Sequence, residues 1–490
     1  MNSKRFTCKL FKPQFTMIKN LIANKEFIAT LRDRRFVVAG IVVLLLLLVA
    51  TWTGFQNYQS LADKREKANQ SARAAWLGQP EKNPHSAAHY GTFAFRPKSD
   101  LSFLDFGLDT YTGSSVYLEG HRQNDAKFSQ AEDATSLIRF GEMTVAFVLQ
   151  LLIPLLIIFL CFNAFTQERE ENTLKILLSQ GASVPTIFWG KVSGFARVIG
   201  LVVVPALLLA GTLLFAQTGF DPTTDTLLRL GLFVGLYVIY FGLFIIGSVF
   251  VSARAGSSRA SLLTLLGIWI VACVVLPKAT ANLGESLFKV PSNYTFQHEL
   301  HEDVEKGIDG HNPSDARAKE LEKKILAQYG VDSVSQLPVN FDGIVMQEGE
   351  KYTSLVYQKH FGELQNQFQK QNSLATAAGF LNPYLAVRDL SMGLSGSDYD
   401  HFLDFKAKAE AYRFGLVEQL NNEMKTFSKT GDWDKTVSRD FWAKTPDFQY
   451  QLPSVGWALG RHGLSVLALL LFGGLLVWSV QRGLKTIDLV

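Results

Sequence analysis

Cysteine is nearly absent from this sequence. Only three of its 490 residues are cysteines, Cys8, Cys161 and Cys273. Cys161 and Cys273 lie in strongly apolar runs, and Cys8 lies in a basic segment that precedes the first such run. None falls within the two long polar stretches, residues 56–142 and 278–462, so disulfides cannot stabilise either of them.

Charge is also absent from six apolar segments of about 20 residues, the length that crosses a hydrocarbon core of about 30 Å. A backbone in lipid must satisfy its own hydrogen bonds, so each segment is predicted to be a membrane-spanning helix. Because no charged residue lies deep in any of them, a proton-driven or ion-coupled carrier is disfavoured. The predicted spans are residues 36–55, 143–164, 198–217, 230–251, 261–277 and 463–481.

The sequence has no phosphate-binding loop. Such a loop needs Gly-x-x-x-x-Gly-Lys-Ser/Thr, so that backbone amides surround the phosphates and the hydroxyl reaches magnesium. Gly190-Lys191 is the nearest candidate, but Pro185 stands at the first glycine position and Val192 follows the lysine. No hydrolase triad or acid pair occurs in a recognisable context either. We therefore predict that the chain is not an enzyme and that any ATP is hydrolysed by another protein.

Basic residues are concentrated in alternate connecting segments. They are frequent in residues 1–35, 165–197, 252–260 and 482–490, whereas the short segment 218–229 contains Asp221 and Asp225 before its first basic residue. Cytoplasmic segments of membrane proteins carry the excess of Lys and Arg. The pattern predicts a multi-pass membrane protein with both termini in the cytoplasm. The two long polar stretches, 56–142 and 278–462, are then periplasmic.

The larger polar stretch has helical patterning. Ser314 precedes a charged run that ends at Tyr329, and an amphipathic run covers 342–371. Ser397 and Asp398 are candidate caps for a helix that ends near Phe427. The smaller stretch is helical through about residue 76 and then irregular. The predicted fold class is an all-α membrane protein, with six transmembrane helices and two large, mainly helical periplasmic insertions.

Several residues in or beside the spans are candidates for packing or anchoring. Gly231 and Gly235, followed by Gly242 and Gly247, could form a face on which another helix packs closely. Pro154, Pro205 and Pro277 are expected to mark kinks or helix ends. Arg461 and His462 stand at the edge of the sixth span, where they are expected to reach the membrane surface.

The most informative segment lies between the second and third spans, in residues 165–197, which we call the coupling segment. It reads Gln-Glu-Arg-Glu-Glu-Asn-Thr-Leu-Lys-Ile-Leu-Leu-Ser from 167 to 179. Glu168, Arg169 and Glu170 are suited to pairing with a soluble protein. Leu174 and Leu177 are suited to fixing the segment against membrane helices. The alternative is an ordinary solvated loop with a charge run at a helix end.

These residues resemble the permeases of the type-2 ABC (ABC-2) transporter family. Its members carry Glu-Arg-Glu-x-Gly-Thr-Leu, a leucine-rich turn and a Gly-Lys that enters the third span. Residues 168–174 match this pattern, except that Asn172 replaces the usual glycine, and asparagine tolerates left-handed backbone. The resemblance implies that Glu168, Arg169, Glu170, Thr173, Leu174 and Leu177 couple the chain to an ATPase.

The segment before the first span is similar to the family's connecting helix. Residues 21–36 form an amphipathic pattern that ends in Arg-Asp-Arg-Arg-Phe. Leu21, Ile22, Ile28 and Leu31 are expected to face lipid, with the basic residues at the headgroups. A simple positive flank is the alternative interpretation.

Motifs in both polar stretches resemble a bacterial branch of the family that carries an outer domain of uncharacterised function, DUF3526. Related permeases are grouped with those that mature the copper enzyme nitrous oxide reductase. The motifs of the first stretch lie at 83–91, 95–98 and 118–121, and those of the second lie at 382–392, 395–398, 411–413 and 420–421.

The resemblance implies a set of partners. A cytoplasmic ABC ATPase would hold ATP and magnesium, and a second permease, identical or paralogous, would complete the transporter in membrane lipid. No cofactor is expected in this chain, and no nucleic acid. Export of a solute towards the periplasm is the expected function. Mechanical action on a periplasmic protein, for example in metalloenzyme maturation, is the alternative.

Eight of the nine histidines lie inside the two polar stretches, and the ninth, His462, is the last residue of the second stretch, at the edge of the sixth span. His298 and His301, followed by Glu302, could present donors on one helical face, and His85 and His89 form a second pair. Such spacing suits zinc or copper. No cysteine or methionine cluster accompanies them, so no metal site is expected, and His298 and His301 are the candidates if one exists. His85 and His89, with His121, are expected to serve packing.

Overall fold

The computed structural model describes residues 7–133, 143–308, 312 and 315–486. Helices dominate it, and six of them are long and apolar enough to cross a membrane. The predicted all-α membrane fold with six spans is therefore confirmed. The six candidate spans are Arg34–Leu77, Val145–Glu170, Val184–Gln217, Thr224–Arg254, Ser258–Leu287 and Gly463–Gly483.

The amino-terminal half contains helices α1 to α9. Asp33 separates α1 from α2, because its side chain accepts the N–H of Arg35 and so caps α2. The helices are α1 (Thr7–Arg32), α2 (Arg34–Leu77), α3 (Pro84–Tyr90), α4 (Gln130–Asp133), α5 (Val145–Phe147), α6 (Ile153–Cys161), α7 (Thr166–Glu170), α8 (Thr173–Ser179) and α9 (Val184–Gln217).

The carboxy-terminal half is also helical, apart from a 3₁₀ turn at Val334–Gln336. Asp398 caps α17 as predicted, whereas the cap of α14 is Asp315, and the predicted Ser314 lies outside the described residues. The helices are α10 (Thr224–Arg254), α11 (Ser258–Ile270), α12 (Leu276–Leu287), α13 (Asn293–Glu305), α14 (Ala316–Tyr329), α15 (Phe341–Ala378), α16 (Pro383–Ser395), α17 (Tyr399–Phe427), α18 (Arg439–Lys444), α19 (Val455–Arg461) and α20 (Gly463–Gly483).

Two of the three prolines in spans follow a π-helical turn. Pro154 is near the start of α6, after the π turn Val148–Leu152, and Pro277 is near the start of α12, after Val271–Val275. A proline cannot donate a backbone hydrogen bond and its ring crowds the preceding turn, which a widened turn relieves. Pro205 lies inside α9, which continues past it.

The irregular part of the first polar stretch contains a small antiparallel sheet. Strand β1 (Thr92–Phe95) pairs with β2 (Ser115–Glu119), with Thr92 opposite Leu118, and β2 pairs with β3 (Arg122–Gln123). Local sequence patterning predicts an irregular segment here and no strands. Because β1 and β2 are separated by about 20 residues, their pairing produces no local hairpin pattern.

The two polar stretches pack into one body, which we call the extramembrane domain. Trp76 at the end of α2 donates its indole N–H to the carbonyl of Trp442, at 3.1 Å, and both rings are buried. Lys82 and Val437 form an isolated β-bridge. The sequence predicts two separate insertions, since contacts between positions so far apart leave no trace in local patterning.

Arg229 in α10 fastens this domain to the spans. Its guanidinium is buried and donates to the carbonyls of Gly393 and Leu394, at 3.2 and 3.1 Å, and to that of Pro453, at 2.7 Å. It also pairs with Asp225, at 2.8 Å. These bonds join α10 to the end of α16 and to the segment before α19.

His462 lies at the junction between the extramembrane domain and α20. Its Nδ1 is 2.9 Å from Asp389 and its Nε2 is 3.0 Å from Asp398, so it is buried between two carboxylates. The expectation that His462 anchors the chain at the membrane surface is therefore wrong. Burial alone lowers its pKa, but the hydrogen bonds to both carboxylates outweigh burial and raise the pKa from 6.5 to about 10.

Replacing His462 by glutamine should therefore destabilise the protein in a pH-dependent way. A raised pKa stabilises the fold fully below the unfolded value of 6.5, and the effect is lost as the pH rises through about 10. We expect a loss of roughly 3 kcal/mol at pH 6. The difference in melting temperature between wild-type and His462→Gln protein in detergent should shrink towards pH 10, and an unchanged difference would contradict the assignment.

Candidate functional site

The coupling segment folds into two short helices, α7 and α8, that meet at Asn172. Asn172 has a φ of 59°, in the left-handed region. Asparagine is one of the few non-glycine residues that adopts this conformation readily. The residue that departs from the family pattern thus keeps the backbone that glycine would allow, and the chain turns sharply from α7 into α8.

Glu168 of α7 is buried within a cluster of four charges. Its Oε1 accepts from Lys191 Nζ at 2.9 Å and from Lys25 Nζ at 2.8 Å. Lys191 and Lys25 also bind Glu26 Oε1, at 2.7 and 3.0 Å. We call these four residues the charge cluster. It joins α1, α7 and α9, three elements that are far apart in the sequence.

The charge cluster is electrically balanced, with two lysines and two glutamates. The Lys191 side chain is only 2% exposed. Burial alone raises the pKa of Glu26, but Lys191 and Lys25 outweigh it, so the pKa of Glu26 is lowered. Burial likewise opposes the charge of Lys25, and Glu26 and Glu168 more than compensate, so the pKa of Lys25 is raised. Lys25 and Glu26 therefore both stay charged at neutral pH.

Two glycines bring α1 close enough to α9 for this contact. A Cβ on Gly190 would lie 2.8 Å from the side chain of Ile22, and one on Gly194 would lie 2.8 Å from the carbonyl of Ala23. The pair forms a small-xxx-small interface. Ile22 therefore packs on α9, and the expectation that it faces lipid is wrong.

The remaining packing expectations have mixed outcomes. Leu21, Ile28 and Leu31 are exposed on α1, which agrees with a lipid-facing side. The proposed packing face of α10 meets nothing within this chain, because a Cβ at any of its four glycines would lie in open space among the described residues. These are Gly231, Gly235, Gly242 and Gly247.

Arg169 and Glu170 bind the connection between α10 and α11. Arg169 donates to the carbonyls of Ala253 and Ala255, at 2.8 and 2.6 Å, at the end of α10. Glu170 accepts from the N–H and the hydroxyl of Ser258, at 2.8 and 2.9 Å, at the start of α11. The positive charge of Arg169 at the carboxyl end of α10 and the negative charge of Glu170 at the amino end of α11 both interact favourably with the helix dipoles.

The apolar residues of the segment divide into buried and exposed positions. Thr173 donates to the carbonyl of Glu168 at 3.3 Å, and Leu174 is buried. Leu177 is half-buried against the membrane core. Ile176, by contrast, is 56% exposed, and Lys175 beside it is also exposed.

The structure thus brings the predicted coupling residues together. Their charged groups form ion pairs and hydrogen bonds with other residues of the same chain. Glu168, Arg169 and Glu170 each bind other parts of this protein; Glu168 is buried and Arg169 is half-buried, whereas Glu170 is exposed. Local patterning identifies these three residues, but it does not indicate that Glu168 pairs with Lys25 and Lys191 or that Glu26 shares both lysines. Gly190 and Gly194 are four residues apart, and this spacing is the one sequence signal that could have indicated that α1 packs against α9. Interaction with an ATPase stays a prediction.

The histidines differ from expectation. His298 and His301 are exposed, and each lies beside a glutamate one turn away, at 3.5 Å from Glu302 and 3.1 Å from Glu305. Among the described residues they join no group of three potential metal ligands. His85, His89 and His121, which were expected to serve packing, instead form such a group.

Six apolar helices, with a coupling segment bound to their connections, define an integral membrane protein of the transporter class. Residues 21–316 match the ABC-2 family transporter protein, which covers more than half of the chain and includes the whole charge cluster. The chain therefore belongs to the ABC-2 family. It is a multi-pass membrane permease subunit of an ABC transporter, and such subunits work with a partner ATPase.

A second match covers most of the extramembrane domain. Residues 294–451 match the domain of unknown function DUF3526, so the branch indicated by the sequence motifs is confirmed. No curated protein matches the sequence.

Proposed function

We propose that this permease exports a solute from the cytoplasm or inner membrane towards the periplasm, driven by an ATPase that presses on the coupling segment. The observation that carries the proposal is the charge cluster. It joins α7, α1 and α9 through three ionic contacts of 2.7–2.9 Å, and the two made by Lys191 are buried.

The contacts of the coupling segment define a route for force. The surface for a partner is formed by exposed residues of α8, including Lys175 and Ile176. Movement there would reach α7, and from α7 it would reach α9 through the charge cluster and α10 and α11 through Arg169 and Glu170. A tightly paired network transmits displacement because its members cannot shift independently without separating buried charges.

The orientation in this proposal rests on the distribution of charge, and the partners rest on membership of the ABC-2 family. Both termini lie in the cytoplasm of a bacterium and the extramembrane domain lies in the periplasm, because the basic connections flank the opposite ends of the spans. The ATPase holds the ATP and magnesium. A second permease, identical or paralogous, completes the assembly. The four glycines of α10 that contact nothing in this chain offer it a surface on which to pack.

A second candidate function is mechanical action on a periplasmic protein. It is favoured by the direct connection of span and domain, since α2 runs unbroken for 44 residues from the membrane into the extramembrane domain. Arg229 adds a second rigid link. In this case the ATPase would move the extramembrane domain, and no solute would cross.

Thiol labelling and crosslinking test the coupling surface and the sidedness together. With Cys8 replaced by serine, Ile176→Cys should crosslink to the co-expressed ATPase and should resist a membrane-impermeant maleimide in intact cells. Tyr294→Cys is the matched control, since Tyr294 is 82% exposed at the other end of the molecule. It should be labelled from outside and should not crosslink. The reverse pattern would refute both the coupling surface and the orientation.

Reconstitution separates the two candidate functions. The permease and its ATPase would be placed in vesicles loaded with candidate solutes, and ATP hydrolysis and solute movement would be measured. Export predicts that one solute stimulates hydrolysis and crosses the membrane. If hydrolysis responds only to a periplasmic protein and no solute moves, the mechanical function is correct.

A further inference from the structure

Three histidines converge in the extramembrane domain, two from α3 and one from the β2–β3 turn. One ring nitrogen of each lies within 4.8 Å of those of the other two. His85 Nε2 is 3.1 Å from His89 Nε2 and 3.4 Å from His121 Nε2. We call His85, His89 and His121 the tri-histidine cluster.

The partner of His85 fixes its tautomer. His85 Nδ1 lies 2.9 Å from Asn421 Oδ1. The other side-chain atom of Asn421, Nδ2, donates to Gln347 at 3.1 Å, so Oδ1 is the acceptor that faces the ring. His85 therefore carries its proton on Nδ1, and its Nε2 lone pair points into the tri-histidine cluster. A second hydrogen bond of this kind is typical of metal-bound histidines.

His121 is held in the same way by a carboxylate. Glu350 is fully buried and binds Arg413 through Oε1. Its Oε2 accepts the backbone N–H of His121 at 2.7 Å and lies 3.4 Å from His121 Nδ1. The carboxylate attracts a proton to Nδ1, which leaves the Nε2 of His121 as a second lone pair facing that of His85.

The backbone at His121 supports a built site. His121 has a φ of 63°, in the left-handed region that non-glycine residues rarely adopt. The preceding residue, Gly120, donates its N–H to the carbonyl of Ala88 at 2.8 Å, which binds the turn to α3. Strained backbone of this kind persists where surrounding contacts impose it, and it often marks functional sites.

We propose that the tri-histidine cluster binds a divalent transition-metal ion, with Zn²⁺ the ion that its ligands fit. The ring nitrogens of all three histidines lie within 4.8 Å of one another, close enough to bind a single cation. A tetrahedral zinc ion with Zn–N bonds of about 2.0–2.1 Å holds its nitrogen ligands about 3.3 Å apart. Imidazole also selects transition metals over Mg²⁺ and Ca²⁺, which prefer oxygen.

The surroundings leave room for a fourth ligand. His85 is buried and His121 is partly buried, but His89 is exposed at the edge of the tri-histidine cluster. A site with three protein ligands and one open position is the arrangement that exchanges or presents its ion. A bound ion would also join α3 to the β2–β3 turn.

Zinc titration of the purified full chain tests the proposal. Protein in detergent, stripped with a chelator, should bind one Zn²⁺ per chain in competition with a chromophoric chelator. His89→Ala removes an exposed ligand, and His121→Asn removes a ligand while keeping a residue that tolerates left-handed backbone. Each should weaken binding by about tenfold or more. The double variant His298→Ala/His301→Ala is the matched control and should bind as the wild type does.

Melting temperatures provide a second measurement on the same samples. Zn²⁺ should raise the melting temperature of the wild type and of the control variant, but not that of His89→Ala or His121→Asn. Mg²⁺ should have no effect on any of them. Failure of the wild type to bind Zn²⁺ would overturn the proposal, and a shared proton would then satisfy the histidines. Equal binding by the wild type and His89→Ala would overturn it as well.

Discussion

Replacing Lys191 by methionine should destabilise the protein strongly and disconnect α1 from the spans. Methionine preserves the length of the side chain but leaves Glu26 and Glu168 buried with only Lys25, which is partly exposed. Removing one member of a buried ionic network costs about 3–5 kcal/mol, since the remaining charge is uncompensated. The expected result is a fall of several degrees in the melting temperature of the detergent-purified chain.

Two further variants give this prediction its control. Lys175→Met removes an exposed lysine from the same coupling segment and should leave the melting temperature unchanged. The double variant Glu168→Gln/Lys191→Met restores the balance, because the pair of Lys25 and Glu26 remains. It should therefore be more stable than Lys191→Met alone. Equal stability of Lys191→Met and the wild type would show that the charge cluster does not form.

Replacing Arg229 by leucine should loosen the extramembrane domain from the spans. The carbonyls of Leu394 and Pro453 would lose this donor, and that of Gly393 would keep only the N–H of Gly396. Each buried polar group left without a partner costs about 1–3 kcal/mol. We expect a loss of about 3 kcal/mol or more and faster proteolysis of the segment between α18 and α19.

Arg439→Leu is the control for this experiment. Arg439 is an exposed arginine of the same domain, at the start of α18, and its loss should change neither the melting temperature nor the cleavage rate. If Arg229→Leu is cleaved no faster than Arg439→Leu, Arg229 does not hold the domain in place.

The features that could be predicted from the sequence are those that depend on neighbouring residues. A span is recognised because about 20 uncharged residues in succession are needed to cross lipid. Asp398 was identified as the cap of α17 because capping involves only the next three residues. The family motif at 168–174 is likewise continuous, and Asn172 could be interpreted from its own conformational preference.

The features that could not be predicted depend on residues brought together by packing. Glu168 meets Lys25 across 143 positions of the chain, and no property of the coupling segment specifies that partner. The charges of Glu168 to Glu170 therefore suggested an exposed surface when they are paired internally. The same holds for His121, which is 36 positions from His85. A histidine in a turn gives no sign of the two rings that it approaches.

The unbroken length of α2 has a mechanical consequence. Its last 22 residues or so continue beyond the predicted span for about 33 Å, at about 1.5 Å per residue. Helix α2 can therefore act as a lever arm. Its pivot is the first span, and its tip is Trp76, which is buried in the extramembrane domain. A tilt of about 5° at the pivot would carry the tip by roughly 3 Å, more than half the rise of one helical turn. Small rotations of the first span are in this way amplified into displacements that could open or close the far end of the molecule.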